Sequence, residues 1–130
     1  VQFDLTAPRY FYQEWDTYHF HESISSQSTM HRISKFNLKE MCNECVDEEI
    51  MVILTKYIER YKENPTPENL RLVKSNIPEG LMLTRGVSTN YAQLKTMHRQ
   101  RKDHRLPEWS VDFVKFIHSL PMNQFITGEQ

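Results

Sequence analysis

The residues with the most chemical reach are polar and clustered. Lys95, Arg99, Arg101, Lys102 and Arg105, with His98 and His104 among them, concentrate positive charge between positions 95 and 105. Such a cluster is a solvated helix face, a phosphate site centred on Arg101, or a strip that binds polynucleotide. Residues 22–30 are rich in hydroxyls: Ser23, Ser25, Ser26 and Ser28, with Gln27 and Thr29. Their oxygens either serve the backbone of an ordinary connection or hold a polar ligand. Cys42 and Cys45 form a Cys-x-x-Cys pair, which by spacing is a redox motif or half of a zinc site. No second pair completes a zinc site and no strand-turn frame surrounds this one, so the expectation is two partly buried thiols three apart on one helix face. His19 and His21, two apart on a helix, point to different sides and are not expected to share a metal.

These groups must be positioned by a small number of elements. The chain has 130 residues, which sets one domain as the expectation, with a body over 1–121 and a C-terminal tail over 122–130. Hydrophobic residues make up 38% and charged residues 25%, the balance of an ordinary globular protein, and the formal net charge is −1. That charge gives no whole-molecule attraction for nucleic acid or membrane, so such binding needs a local patch. No run approaches the ~18 apolar residues of a membrane span, and no signal peptide is visible. The strand-like Val1 to Leu5 at the very edge leads us to expect further residues upstream.

Val1 to Leu5 alternates apolar and polar, as a half-buried strand does. Thr6 and Pro8 suit the start of a helix whose face carries Phe11, Trp15 and Tyr18 and which runs to about Phe20. The serine-rich stretch reads as a loop or a short extended piece. Asn37 and Glu40 form a capping box for a helix through the cysteines. Val46, Ile50, Ile53, Leu54, Tyr57, Ile58 and Tyr61 make the clearest helical stripe in the chain. Thr66-Pro67-Glu68 starts a short helix with Leu70 and Val73 inward. Leu81 to Val87 reads as a strand in which Gly86 marks a bulge or a close backbone approach. Ser88 or Thr89 should cap a helix bearing Tyr91, Leu94 and Met97, and Pro107 should open the last helix with Trp109, Phe113, Phe116, Ile117 and Leu120 on one face. The tail is expected to be loose or to dock on a partner. The fold class is therefore α+β, short strands with five or six helices.

Tyr18-His19-Phe20-His21-Glu22-Ser23-Ile24-Ser25-Ser26-Gln27-Ser28 resembles the nucleotide- and flavin-binding motif of flavin-dependent thymidylate synthases, written R-H-R-x-x-S-x-N-E-x-S-x-R-Y. With the motif His on His19, its serines fall on Ser23 and Ser28 without a gap. The flanking arginines are replaced by Tyr18 and Phe20, the Asn-Glu pair by Ser25 and Ser26, and the last Arg-Tyr by Met30 and His31. Further on, Ile77-Pro78 resembles the family's Leu-Pro turn, Lys74 stands at the Arg four residues ahead of that Pro, Asn90 and Leu94 match Asn-x-Arg-x-Leu with Ala92 in place of its Arg, and Arg101 stands where the family has a nucleotide-contacting Arg. Leu106-Pro107-Glu108-Trp109 departs from the family's Ala-Gln-x-Glu.

The resemblance spans roughly residues 1–118 and implies a thymidylate synthase-like fold. It also implies a nucleotide site made from His19, Ser23, Ser28, Lys74, Asn90 and Arg101. FAD is the implied cofactor, dUMP the implied nucleotide, and a homotetramer with sites between subunits the implied assembly. An arginine grips phosphate with a charged planar fork, which Tyr and Phe cannot supply. The expected function is therefore nucleotide binding, in sequestration or sensing, on this scaffold without redox catalysis. One alternative is an active flavin-dependent synthase methylating dUMP to dTMP; another is a nucleic-acid module using the 95–105 cluster. The altered motif and small size resemble bacteriophage-encoded relatives, which implies the cytoplasm of a bacterial host.

Overall fold

The computed structural model describes residues 1–18, 22–26 and 37–129, with the backbone alone for 22–26. Strand β1 (Gln2–Pro8) leads to helix α1 (Phe11–Trp15) and strand β2 (Glu22–Ser26). Helices α2 (Leu38–Met41), α3 (Glu48–Glu63) and α4 (Pro67–Ser75) precede strand β3 (Met82–Ser88). Helix α5 (Tyr91–Arg101) follows. A π-helical segment (Glu108–Phe113) runs directly into α6 (Val114–Ser119), and α7 (Gln124–Thr127) lies last. The architecture is α+β, as the pattern of short strands and helices implies.

The sheet is antiparallel in the order β1-β3-β2, so the last strand in sequence is the central one. In β1 the side chains of Gln2, Asp4 and Thr6 are exposed while Phe3, Leu5 and Ala7 turn inward, the period of two that the sequence displays. β1 runs through Pro8, so Thr6 and Pro8 do not begin the helix. Proline without its N–H is tolerated at the end of an edge strand. The serine-rich stretch supplies β2, and its register slips between Ser23 and Ser25, opposite Val87 and Gly86. The expected irregularity at Gly86 thus lies in the strand facing it. The Tyr12 hydroxyl reaches the carbonyls of Leu5 and Leu83, each at 2.9 Å, and so ties β1 to β3.

Two cores lie side by side on one face of the sheet. The larger gathers Phe11, Trp15, Val87, Leu94, Met97, Trp109, Phe113 and Ile117. The smaller packs Leu38, Met41, Leu54, Ile58, Val73 and Leu81. Leu83 touches both, so β3 is the common wall. The αα-hairpin α3–α4 belongs to the smaller core. Asp47 caps α3 by accepting the Glu49 N–H at 2.8 Å, and Thr66 caps α4 by accepting the Asn69 N–H at 3.1 Å. Acidic Glu48 and Glu49 at the start of α3, with Arg60 and Lys62 at its end, complement the helix dipole.

Several expectations are corrected. α1 ends at Trp15, so Tyr18 reaches the core from the chain beyond it. Ile50 and Ile53, assigned by periodicity to the inward stripe of α3, are 43% and 47% exposed. The small core buries Leu54 and Ile58 and partly covers Tyr57 and Tyr61. The cysteines are not on a helix: α2 stops at Met41, Cys42 takes an extended conformation and bridges to Leu81, and Cys45 is exposed in the following turn. Gly80 explains the close approach of that turn, since a Cβ there would stand 2.4 Å from Val46 Cγ2 and 2.7 Å from Asn43 Oδ1. The residues after Pro121 are not loose, because α7 packs on α5 and sinks Ile126 to 2% exposure. No helix among the described residues is long and apolar enough to cross a membrane.

Candidate functional site

α5 carries the polar residues that bear on a site. Its cap is Asn90, whose side-chain oxygen accepts the Gln93 N–H at 2.8 Å, and not Ser88 or Thr89. Thr89 is buried, and its carbonyl accepts a bond from the Val1 amino group at 2.8 Å. Starting from Asn90, one side of α5 forms a groove of about 570 Å³ with the chain that follows α1. Thr17, Tyr18, Gln93, Thr96 and Gln100 offer hydroxyl and amide groups there, and Ala92 leaves room where the family pattern has an arginine.

Arg101 stands beside this groove and is held by two side chains, Tyr18 and Trp109. Its Nε–H donates to the Tyr18 hydroxyl at 2.9 Å, and that hydroxyl donates to Gln100 Oε1 at 2.6 Å. The guanidinium lies 5.6 Å from the ring centres of both Tyr18 and Trp109, within cation–π range. Tyr18 is 9% exposed, so its ring belongs to the core and its oxygen to the groove. Where the motif of the resembling family has an arginine, this chain places an aromatic that fixes a different arginine. Among the described residues the Nη atoms of Arg101 have no hydrogen-bond partner, which leaves the outer edge of its fork facing away from the Tyr18 bond.

The other sequence-derived candidates are distributed unevenly. Asn90 and Arg101 belong to the α5 groove and its border. Ser23 lies in β2, its Cα opposite Val87. His19 and Ser28 lie outside the described residues. Lys74 is exposed on α4 and lines a separate groove of about 430 Å³ that shares no residue with the first. The arginines of that second groove are already engaged. Arg85 grips Asp16 through two bonds of 2.7 and 3.3 Å and lies 4.0 Å from the Tyr12 ring centre, while Arg9 donates to the Ile77 carbonyl at 3.3 Å. Tyr18, which holds Arg101, and Gln100, which accepts from the Tyr18 hydroxyl, are uncharged and were not among the candidate site residues. The available signal was Tyr18 itself, at the position of a motif arginine.

The basic cluster does not form a single surface. Lys95, Arg99 and Lys102 are exposed, whereas His98, about one turn from Lys95 and Lys102, is buried. His104 turns inward, with Nδ1 accepting the Leu106 N–H at 3.0 Å and Nε2 lying 3.8 Å from Glu14 Oε1. Among the described residues no three His, Cys, Asp or Glu side chains are grouped so as to hold a metal. The described groove wall also contains no cation, a poor match for the diphosphate of a flavin dinucleotide, which is held by charged donors.

Burial lowers the pKa of His98 below its ordinary 6.5, helped by the charges of Lys102 and His118, while Glu129 and Asp103 oppose the shift. The folded state therefore takes up this proton less readily than the unfolded chain. The stabilising difference is present above the unfolded pKa of about 6.5 and is lost as the pH falls below it. The melting temperature should fall between pH 7 and pH 5, and His98→Gln should flatten that slope. Equal slopes in calorimetric scans of the two proteins would remove His98 as the cause.

The whole arrangement has counterparts among solved structures. Two crystal structures of thymidylate synthase X (ThyX) from Helicobacter pylori, each with FAD and dUMP, align with this chain. One gives a TM-score of 0.70 at 16% sequence identity and the other 0.69 at 15%, each over 98% of this chain and 71% of theirs. No family model matches the sequence, and no curated protein matches it. At this identity the alignment shows a shared fold: the chain is built on the ThyX-like scaffold.

Proposed function

We propose that this chain is a nucleotide-binding protein on a flavin-dependent thymidylate synthase-like scaffold, without redox catalysis. The observation that carries the reading is the Tyr18–Arg101 pair. It supports a role for Arg101 as a single phosphate anchor, set by a hydrogen bond and two aromatic rings beside a groove of neutral donors and acceptors. One fork suits one phosphate. A flavin dinucleotide needs more charge than the described wall provides, and without a bound flavin the hydride chemistry of this enzyme class has no carrier. The nucleotide is dUMP or a close analogue, the ligand named with the aligned structures. His19, Ser23, Ser28 and Asn90 complete the proposed set, and Lys74, which lines a separate groove, is left out of it. A homo-oligomer, a single domain that takes in α7 as well as residues 1–121, and a phage origin with nucleotide sequestration or sensing in a bacterial cytoplasm belong to the same proposal. The exposed Ile50, Val52 and Ile53 favour the oligomer.

Thermal unfolding with a nucleotide panel tests it. A ligand at tenfold excess over its Kd adds about 1.4 kcal/mol of stability, which raises Tm by several degrees. dUMP should do this in a colourless preparation, and added FAD should not. A preparation that is yellow, or that turns dUMP into dTMP with reductant and folate, favours the active synthase instead. Absence of any shift across the panel would end the nucleotide reading.

A further inference from the structure

A second concavity lies on another part of the molecule. Between β1 and the π-helical segment is a cavity of about 270 Å³ whose walls include the rings of Phe11, Phe113 and Phe116. Its charged lining consists of Asp4, Glu108 and Asp112, with no Lys, Arg or His among the described residues that line it. None of its lining residues belongs to the α5 groove or to the groove of Lys74.

The π-helical segment makes this wall. A π-turn spaces hydrogen bonds i to i+5 and widens the helix, and such turns concentrate at functional sites. Here Glu108, Asp112 and Phe113 come from that one segment and all reach the same cavity. Glu108 is fixed from one side only. Its Oε1 accepts the Tyr10 hydroxyl, which in turn accepts from Asn43 Nδ2 at 3.2 Å. Its Oε2 is covered and has no hydrogen-bond donor among the described residues. A buried carboxylate oxygen without a donor is costly, so Glu108 keeps a negative charge beside the cavity that it lines, shared on one side only.

We infer that this cavity binds a small organic cation, an amine carrying an apolar or aromatic body. The rings receive the body and offer their faces to the positive charge, while Glu108 and Asp112 supply the counter-charge. An anion or a phosphate is disfavoured by three carboxylates around the cavity. This site is independent of the nucleotide groove and stands or falls separately from it.

Phenethylamine is a suitable probe, and 2-phenylethanol is its neutral counterpart of similar size. Tryptophan fluorescence reports occupancy because Trp15 lines the cavity. Phenethylamine should bind saturably at one site, at least tenfold more tightly than 2-phenylethanol. Glu108→Gln should weaken the amine at least tenfold and leave the alcohol unchanged. Asp112 is exposed and should tolerate replacement, so Asp112→Asn, with an expected loss of about threefold, decides the matter if the Glu108 variant does not fold. Equal affinity for amine and alcohol, no saturable amine binding, or unchanged amine binding in the folded variants would overturn the inference.

Discussion

Replacing Trp109 by alanine is expected to destabilise the protein by about 3–5 kcal/mol, the cost of deleting a large buried aromatic. Trp109 is fully buried and is the hub of an aromatic group. Its ring stacks on Phe11 with centroids 4.2 Å apart and meets Phe113 edge-on at 5.1 Å, and Trp15 lies 6.3 Å away at 27°. Pairs of this kind contribute ~0.5–1.5 kcal/mol beyond area burial. Phe11 and Trp15 of α1 and Phe113 of the π-helical segment pack against it, so both elements depend on it. A domain of this size has roughly 5–15 kcal/mol of total stability, so the variant should be marginal at 25 °C. Urea unfolding measures the effect as a fall in the midpoint. A loss below about 1 kcal/mol would show that the cluster repacks, against the close-packed interior assumed here. Trp109→Phe should recover much of the loss, because it keeps a ring against Phe11.

The aromatic cluster was legible in the sequence because helical spacing announces a face. Phe11 and Trp15 recur at four, Trp109 and Phe113 at four, and each pair lies in the core. Two of the three strands were legible for the same kind of reason: β1 alternates and Leu81 to Val87 is short and largely apolar, while the serine-rich stretch that supplies β2 read only as a loop or a short extended piece. What periodicity could not reveal was the size of each core. Ile50 and Ile53 carry the helical signal of a buried face, yet α3 gives the small core Leu54 and Ile58, with Tyr57 and Tyr61 partly covered, and leaves both isoleucines outside. The π-helical character of Glu108–Phe113 was equally hidden, because apolar residues four apart suit an ordinary helix.

The candidate site was legible only where residues kept the family spacing. Asn90 and Arg101 were marked in this way, and the structure puts Arg101 beside the groove that Asn90 lines. Lys74 was marked by the same logic, and it faces a different groove. Sequence distance from a turn fixes a position on a helix but not which groove a long flexible side chain enters. Tyr18 shows the converse. Read as a lost arginine, it signifies only missing charge, whereas its hydroxyl at 2.9 Å from Arg101 Nε makes it the residue that positions the arginine which remains.

That geometry sets the second large effect. Arg101→Ala is expected to weaken nucleotide binding by roughly 10- to 100-fold, about 1.4–2.8 kcal/mol, as for loss of a charge-assisted bond to phosphate. The cost to folding should be much smaller than for Trp109→Ala, since the side chain is half-exposed and the Tyr18 hydroxyl keeps its bond to Gln100. Arg101→Lys separates charge from shape. Lysine restores the positive charge, but it cannot present a planar fork, and its compact, strongly hydrated ammonium does not stack on two rings. It should therefore recover only part of the affinity. Tyr18→Phe probes the same anchor from the other side, removing one hydrogen bond while keeping the ring, and should weaken binding by a few-fold with k_off raised more than k_on is lowered. Calorimetric titration of dUMP into the four proteins, with melting curves alongside, ranks them. If lysine binds as tightly as arginine, only charge matters and the stacked geometry has no role. If alanine binds as tightly as arginine, the phosphate is held elsewhere and the Tyr18–Arg101 pair is a piece of the core.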